Sequence, residues 1–135
     1  LGFGDPAGRP VMWMQSSYGF WRLPRAAEAD LARRRLRVLV PFRAGWCGSD
    51  PVAQECDPFE VAVADLRALM GQLRIASAVV VAPGDDIRIA LMLAQAAPDR
   101  VQAIFGIASG FPIRTDAQYR RLIPRPARDH RPPWA

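Results

Sequence analysis

The residues of this chain able to do chemistry are few and mostly bunched. Asp85 and Asp86 are adjacent carboxylates in "VVVAPGDDIRIALMLA" (Val79 to Ala94), the type of pair in which one acid can hold a proton while its neighbour stays charged. Ser16 and Ser17 sit in "QSSYGFWRLP" with Gln15 before them and Tyr18 after, and a Ser nucleophile there needs a general base within hydrogen-bond reach. The only His is His130, in "PRPARDHRPPWA", a Pro- and Arg-rich end whose composition does not favour a packed structure. Cys47 and Cys56 lie in loop-like sequence without metal-ligand spacing or a nearby His, so they read as free thiols, with a disulfide as the alternative. No metal site and no cofactor is expected.

The elements that must position these groups follow from hydrophobic patterning. Four apolar runs, Val11 to Gln15, Leu36 to Pro41, Ala76 to Ala82 and Val101 to Ala108, are nearly continuous, as expected of parallel strands covered on both faces. Between them lie helical segments, Leu23 to Arg35, Phe59 to Leu73 and Asp86 to Ala97. The second has an N-terminal signal in which Asp57 caps, Pro58 opens the helix and Glu60 completes a capping-box pattern. The third is apolar almost all round and stops before Pro98, which predicts a buried helix capped by Asp85 and Asp86. Strands alternating with helices give the α/β class: an open, mostly parallel sheet flanked by helices. Residues 1–123 form the expected domain, with a short helix at Thr115 to Ile123, and 124–135 form a tail that packs poorly.

The chain has 135 residues, half of them hydrophobic, which suits one domain with a real core. Its net charge is +5 and every basic residue is Arg. The densest cluster, Arg33, Arg34, Arg35 and Arg37, falls at a helix end, where cations complement the macrodipole, and no aromatic-interleaved basic face accompanies it. Nucleic-acid binding is therefore expected only through a separate fused domain. No apolar run approaches the ~20 residues of a membrane span and no signal-like leader is present, so a cytoplasmic protein is expected. The start at Leu1, within turn-rich sequence, reads as an internal position of a longer protein.

In open parallel sheets, ligands sit beyond the carboxyl ends of the strands, which makes the turns after each strand the informative stretches. The order and spacing of "GDPAGRPVMWMQ", "LPRAAEADLARRRLRVLVPFRAGWCGSDP", "DPFEVAVADLRALMGQLRIASAVVVA" and "AAPDRVQAIFGIASGFP" resemble the α/β-hydrolase fold superfamily, in its branch of small esterase-like and peptidase-like enzymes. The resemblance covers Gly4 to about Pro112, and its most specific pieces are "APDRV" and "RAGWCGSDP". It implies a partial α/β-hydrolase fold and a Ser nucleophile on a strand-turn-helix elbow. It also implies an oxyanion hole built partly by the loop after an earlier strand, and an acid and a His further along.

Carried onto this chain, the pattern V-V-G-H-S-x-G-G-x-x-A-L puts Ala82 at the first Gly and Gly84 at the Ser. The apex therefore has no nucleophile. Asp85 is the substitute to weigh, but a shift of one residue puts Pro83 and Ile87 where small residues are needed. Two carboxylates beside the apex also oppose a developing oxyanion and occupy its donors. The His-Gly pair of the oxyanion loop is replaced by Gln15 and Ser16, and Asp116, Asp129 and His130 come too early to match the acid and the His.

The expectation is a catalytically inactive, truncated α/β-hydrolase-like protein whose pocket binds a small molecule, as in degenerate domains fused to helix-turn-helix regulators. The alternatives are an ester or peptide hydrolase acting through Asp85 and Asp86, and a partial gene product without activity. Trp13 is expected in the core. Tyr18, Phe20, Trp21 and Trp46 are expected near the pocket mouth, as ligand-stacking groups or as exposed surface, and an open edge beside the last strand would favour self-association.

Overall fold

The computed structural model describes residues 1–15 and 25–108. Ser16, Ser17, Tyr18, Phe20 and Trp21 lie outside the described residues, as do Asp116, Asp129, His130, the expected helix at 115–123 and the tail at 124–135.

Five strands form one sheet. They are β1 (Gly2–Gly4), β2 (Arg9–Trp13), β3 (Leu36–Leu39), β4 (Ala78–Pro83) and β5 (Val101–Ile107), in spatial order β1-β3-β2-β4-β5. Strands β3, β2, β4 and β5 are parallel; β1 runs antiparallel to β3. Three helices connect them: α1 (Arg25–Arg33), α2 (Pro58–Gln72) and α3 (Ile87–Ala96). The α/β class and the four central strands are as the patterning indicates.

The additional strand β1 comes from sequence that reads as turns. Its pairing to β3, with Phe3 opposite Val38, is tertiary rather than local, and glycine is what permits it. Gly4 has φ +83°, and a Cβ there would meet Leu36 O at 2.3 Å.

The main buried cluster lies on one side of the sheet. Met12 and Met14 from β2 and its end, Val80 and Ala82 from β4, Leu66 and Met70 from α2, and Ile89 and Leu93 from α3 pack together. Strand β4 shows the asymmetry residue by residue: Ala78, Val80 and Ala82 are buried while Val79, Val81 and Pro83 are half-buried. Strand β3 has the expected cover on both faces, since the adjacent Val38 and Leu39 are both buried, whereas the second face of β4 is half-buried and β5 is largely exposed. Strand β5 is the outer strand among the described residues, and Phe105 is 59% exposed there. Trp13 lies on a strand as expected but is only half-buried, on the face away from Met12 and Met14.

Helix α2 begins as its sequence signals: the Asp57 carboxylate accepts from the Phe59 N–H at 2.8 Å, with Pro58 at the first position. Arg88 of α3 lies 4.0 Å from the Phe59 ring centroid and 4.0 Å from the Asp57 carboxylate, which ties the two helix starts together. Helix α3 is one-sided rather than buried all round. Ile89, Ala90 and Leu93 face the sheet and α2, whereas Leu91 is 43% exposed. The Arg cluster after α1 is largely solvated, with Arg33 and Arg34 on the Asp30 carboxylate at 2.8 and 2.9 Å. Those two cations hold the Asp30 carboxyl below its usual value. No helix among the described residues is long and apolar enough to cross a membrane.

Candidate functional site

The carboxyl ends of β2, β3 and β4 bring together Gln15, the loop from Val40 to Asp57, and the turn Gly84–Asp86. The turn is a single 3-10 turn between β4 and α3, and its first residue, Gly84, has φ +57°. An L-residue with a Cβ is strained in that region, which is why an apex of this shape stores strain when it carries a nucleophile and costs little when it is Gly. Among the described residues, a Cβ built on Gly84 meets no atom within 4 Å beyond its chain neighbours. None of the described residues crowds the position a side chain on this apex would take.

The two acids beside the apex have different environments. Asp85 is exposed. Asp86 is 2% exposed and pairs with Arg43, its Oδ1 lying 3.2 Å from Nη1. Neither acid makes a capping hydrogen bond to the helix: Asp86 stands at the N-cap of α3 without a side-chain cap bond, and Pro83 precedes the turn. The expected capping role is therefore corrected. A buried carboxylate finds better compensation in a guanidinium than in a helix end. Burial pushes the Asp86 carboxyl up to about 6; Arg43 works against that rise, and the neighbouring Asp85 charge adds to it.

Arg43 is the residue that sequence reasoning missed. Its guanidinium joins Asp86 on one side and lies 5.4 Å from the Trp46 ring centroid on the other. The signal was present: an Asp where the fold packs tightly needs a cation, and Arg43 is the only basic residue in the loop after β3. Gln15, at the end of β2, is 2% exposed, and its Nε2 donates to Cys47 Sγ at 3.4 Å. Trp46 is 41% exposed. Cys47 and Cys56 are both exposed free thiols.

Of the candidate residues, the structure thus brings Gln15, Trp46 and Asp86 into one neighbourhood through Cys47 and Arg43. Gly84 and Asp85 form its edge at the turn. Among the described residues, three buried polar side-chain atoms have no hydrogen-bond partner: Gln15 Oε1, Arg43 Nε and Asp86 Oδ2. Among the described residues, no group of three or more His, Cys, Asp or Glu side chains is placed to hold a metal ion.

The sequence matches no protein-family model, and no curated protein matches it. Solved structures do match. An α/β-hydrolase enzyme from the metagenome of sediments of the Mar Chica lagoon, Morocco, aligns over 82% of this chain and 48% of its own, with TM-score 0.66 and 15% identity. A carboxylesterase structure from Nitrososphaera gargenis aligns over 82% and 40%, with TM-score 0.66 and 21% identity. An N-acyl homoserine lactone degrading enzyme aligns over 82% and 41%, with TM-score 0.65 and 25% identity. The chain has the α/β-hydrolase fold. It spans about half or less of the length of these three structures.

Proposed function

We propose that this chain is an α/β-hydrolase-like unit that has lost acyl-transfer chemistry at its elbow and holds a small molecule instead of cleaving it. The observation that carries this reading is the turn itself. Gly84 supplies the positive-φ apex without a nucleophile, and the residue two further on is a buried Asp86 locked to Arg43. An anionic side chain at that point opposes the charge an oxyanion would develop, and its cation is already engaged.

A second reading, hydrolysis through Asp85 and Asp86, has one observation in its favour: one carboxyl of the pair is raised into the range useful for acid–base work. The cause counts against it. Burial is the main source of the rise, and the side chain is 2% exposed and already paired to Arg43. Asp85 is accessible but has no hydrogen bond or ion pair to a second acid or base among the described residues, so nothing activates it. A turnover screen with ester, lactone and aminopeptidase substrates tests the proposal, with Asp85→Asn as the partner variant. Absence of turnover in both proteins is expected, and turnover that disappears in Asp85→Asn overturns the reading.

A further inference from the structure

The connection from β3 to α2 has neither helix nor strand of its own. None of residues 41–56 belongs to the buried core cluster or to the partly buried side chains packed against it. Their backbone bonds run within the segment, from Gly45 N–H to Asp50 O, Trp46 N–H to Arg43 O, Ser49 N–H to Trp46 O and Cys56 N–H to Ala53 O. Among the described residues, the polar bonds from the segment to the rest of the molecule are the Arg43–Asp86 ion pair and the hydrogen bond from Gln15 Nε2 to Cys47 Sγ. The first reaches the turn before α3 and the second the end of β2, so side chains rather than backbone pin the segment down.

Beneath it lies space. Ten of the 21 residues lining a cavity of about 730 Å³ belong to the segment, and Met14 after β2 with Leu66 and Leu69 of α2 line it from below. A smaller cavity, of about 270 Å³, lies between Trp46 and Val52 of the segment and Phe59 and Ala62 of α2. None of Gly84, Asp85 and Asp86 lines either one. Close packing is what makes a protein interior rigid, and a surface segment without it opens at a cost far below that of global unfolding.

We propose that residues 41–56 form a lid over the larger cavity, latched by Arg43 to Asp86 and by Cys47 to Gln15, which opens while the sheet stays folded and admits a small molecule. The two bonds are unequal. The ion pair, with its side chains 21% and 2% exposed, is charge-assisted, whereas sulfur is a weak acceptor. Once the latch parts, isolated turn bonds do not offset the entropy of ordering the segment, so the open lid gives its amides to solvent. The entry role rests on the reading that the protein holds a small molecule; the lid motion does not.

Native-state hydrogen exchange on the whole chain, read by mass spectrometry with and without low urea, tests the lid. The amides of Gly45, Trp46, Ser49 and Cys56 are expected to exchange at least ~100-fold faster than those of β4 and with little urea dependence, the signature of local opening. Arg43→Gln/Asp86→Asn keeps the shapes and removes both charges, and is expected to speed exchange of the segment by about 10-fold. Gln15→Met, similar in volume, removes the weaker bond and is expected to speed it by about 3-fold. Exchange of the segment only together with β4, or exchange indifferent to both variants, overturns the lid. Stopped-flow mixing with Nile red, an uncharged apolar dye, reports on entry: its association rate is expected to rise with the opening in the double variant. Failure of the dye to bind, or association indifferent to the latch, overturns the entry role. Ester turnover that Asp85→Asn removes would overturn the non-hydrolytic reading while the exchange data still judge the lid.

Discussion

At the turn between β4 and α3 the chain has a positive-φ glycine apex with a buried carboxylate two residues on, whereas the cavity of about 730 Å³ beside α2 has a largely apolar wall that none of the three turn residues lines. The turn is closed chemically: Gly84 is bare, Asp86 is neutralised by Arg43, and Asp85 faces solvent. In the cavity wall, Gln15 and Arg43 are each held at one polar atom, by Cys47 and Asp86, and Gln15 Oε1 and Arg43 Nε are buried without a hydrogen-bond partner among the described residues. Arg43 belongs to both regions. One guanidinium pairs with the buried acid of the turn, and the same side chain lines the cavity.

Breaking that shared residue is expected to have the largest effect. Arg43→Ala leaves Asp86 buried without its cation, and removing one partner of a buried pair costs about 3–5 kcal/mol. Denaturant unfolding at neutral pH should show this loss. The deficit should shrink in acid, where protonation removes the unpaired charge.

Next in size is the pH dependence of the intact protein. The folded Asp86 carboxyl titrates near 6, above the 3.8 of an unperturbed Asp, so between those values the folded state binds more protons than the unfolded state. Stability contributed by this group is full below about 4 and is lost as pH rises toward 6, by a total of order 2–3 kcal/mol. Urea midpoints measured from pH 4 to pH 7 should fall over that window, and Asp86→Asn should flatten the decline.

Gly84→Ser sharpens the comparison from the other side. No described residue crowds the new side chain, so the expected cost is that of the left-handed backbone, roughly 1–2 kcal/mol. The variant should fold, with a melting temperature lower by several degrees. It should remain inactive toward esters, because no base among the described residues is placed to activate the new hydroxyl. Asp85→Asn is expected to be the smallest perturbation, within about 0.5 kcal/mol of the parent in denaturant unfolding, as for other exposed positions without partners.

What could be read in the sequence was what depends on local pattern. The four apolar runs of β2 to β5 and the Asp57-Pro58 start of α2 follow from residues close together in the chain, whereas the place of Gly84 at the apex is what the family resemblance implies. What could not be read depends on partners far apart. Strand β1 exists because Gly2 to Gly4 pair with Arg37 to Leu39, a contact no short window contains. The direction of Asp86 was misread because a helix N-terminus offers an Asp a nearby set of donors, while its actual partner, Arg43, arrives from another strand end. Helix α3 looked buried because apolar composition does not say how many faces are covered. At the candidate site, Gln15 was legible as polar lining, but the cavity it lines is made by the fold of the loop over α2.

The central claim is that the described fold carries an elbow without an activated nucleophile. Intact-mass measurement after incubation with a reactive fluorophosphonate tests it most directly, since such a probe labels activated serines wherever the chain places them. The account predicts a protein of unchanged mass. A stoichiometric adduct, mapped by peptide analysis to Ser16, Ser17 or any other serine, would show that the chemistry was displaced rather than lost.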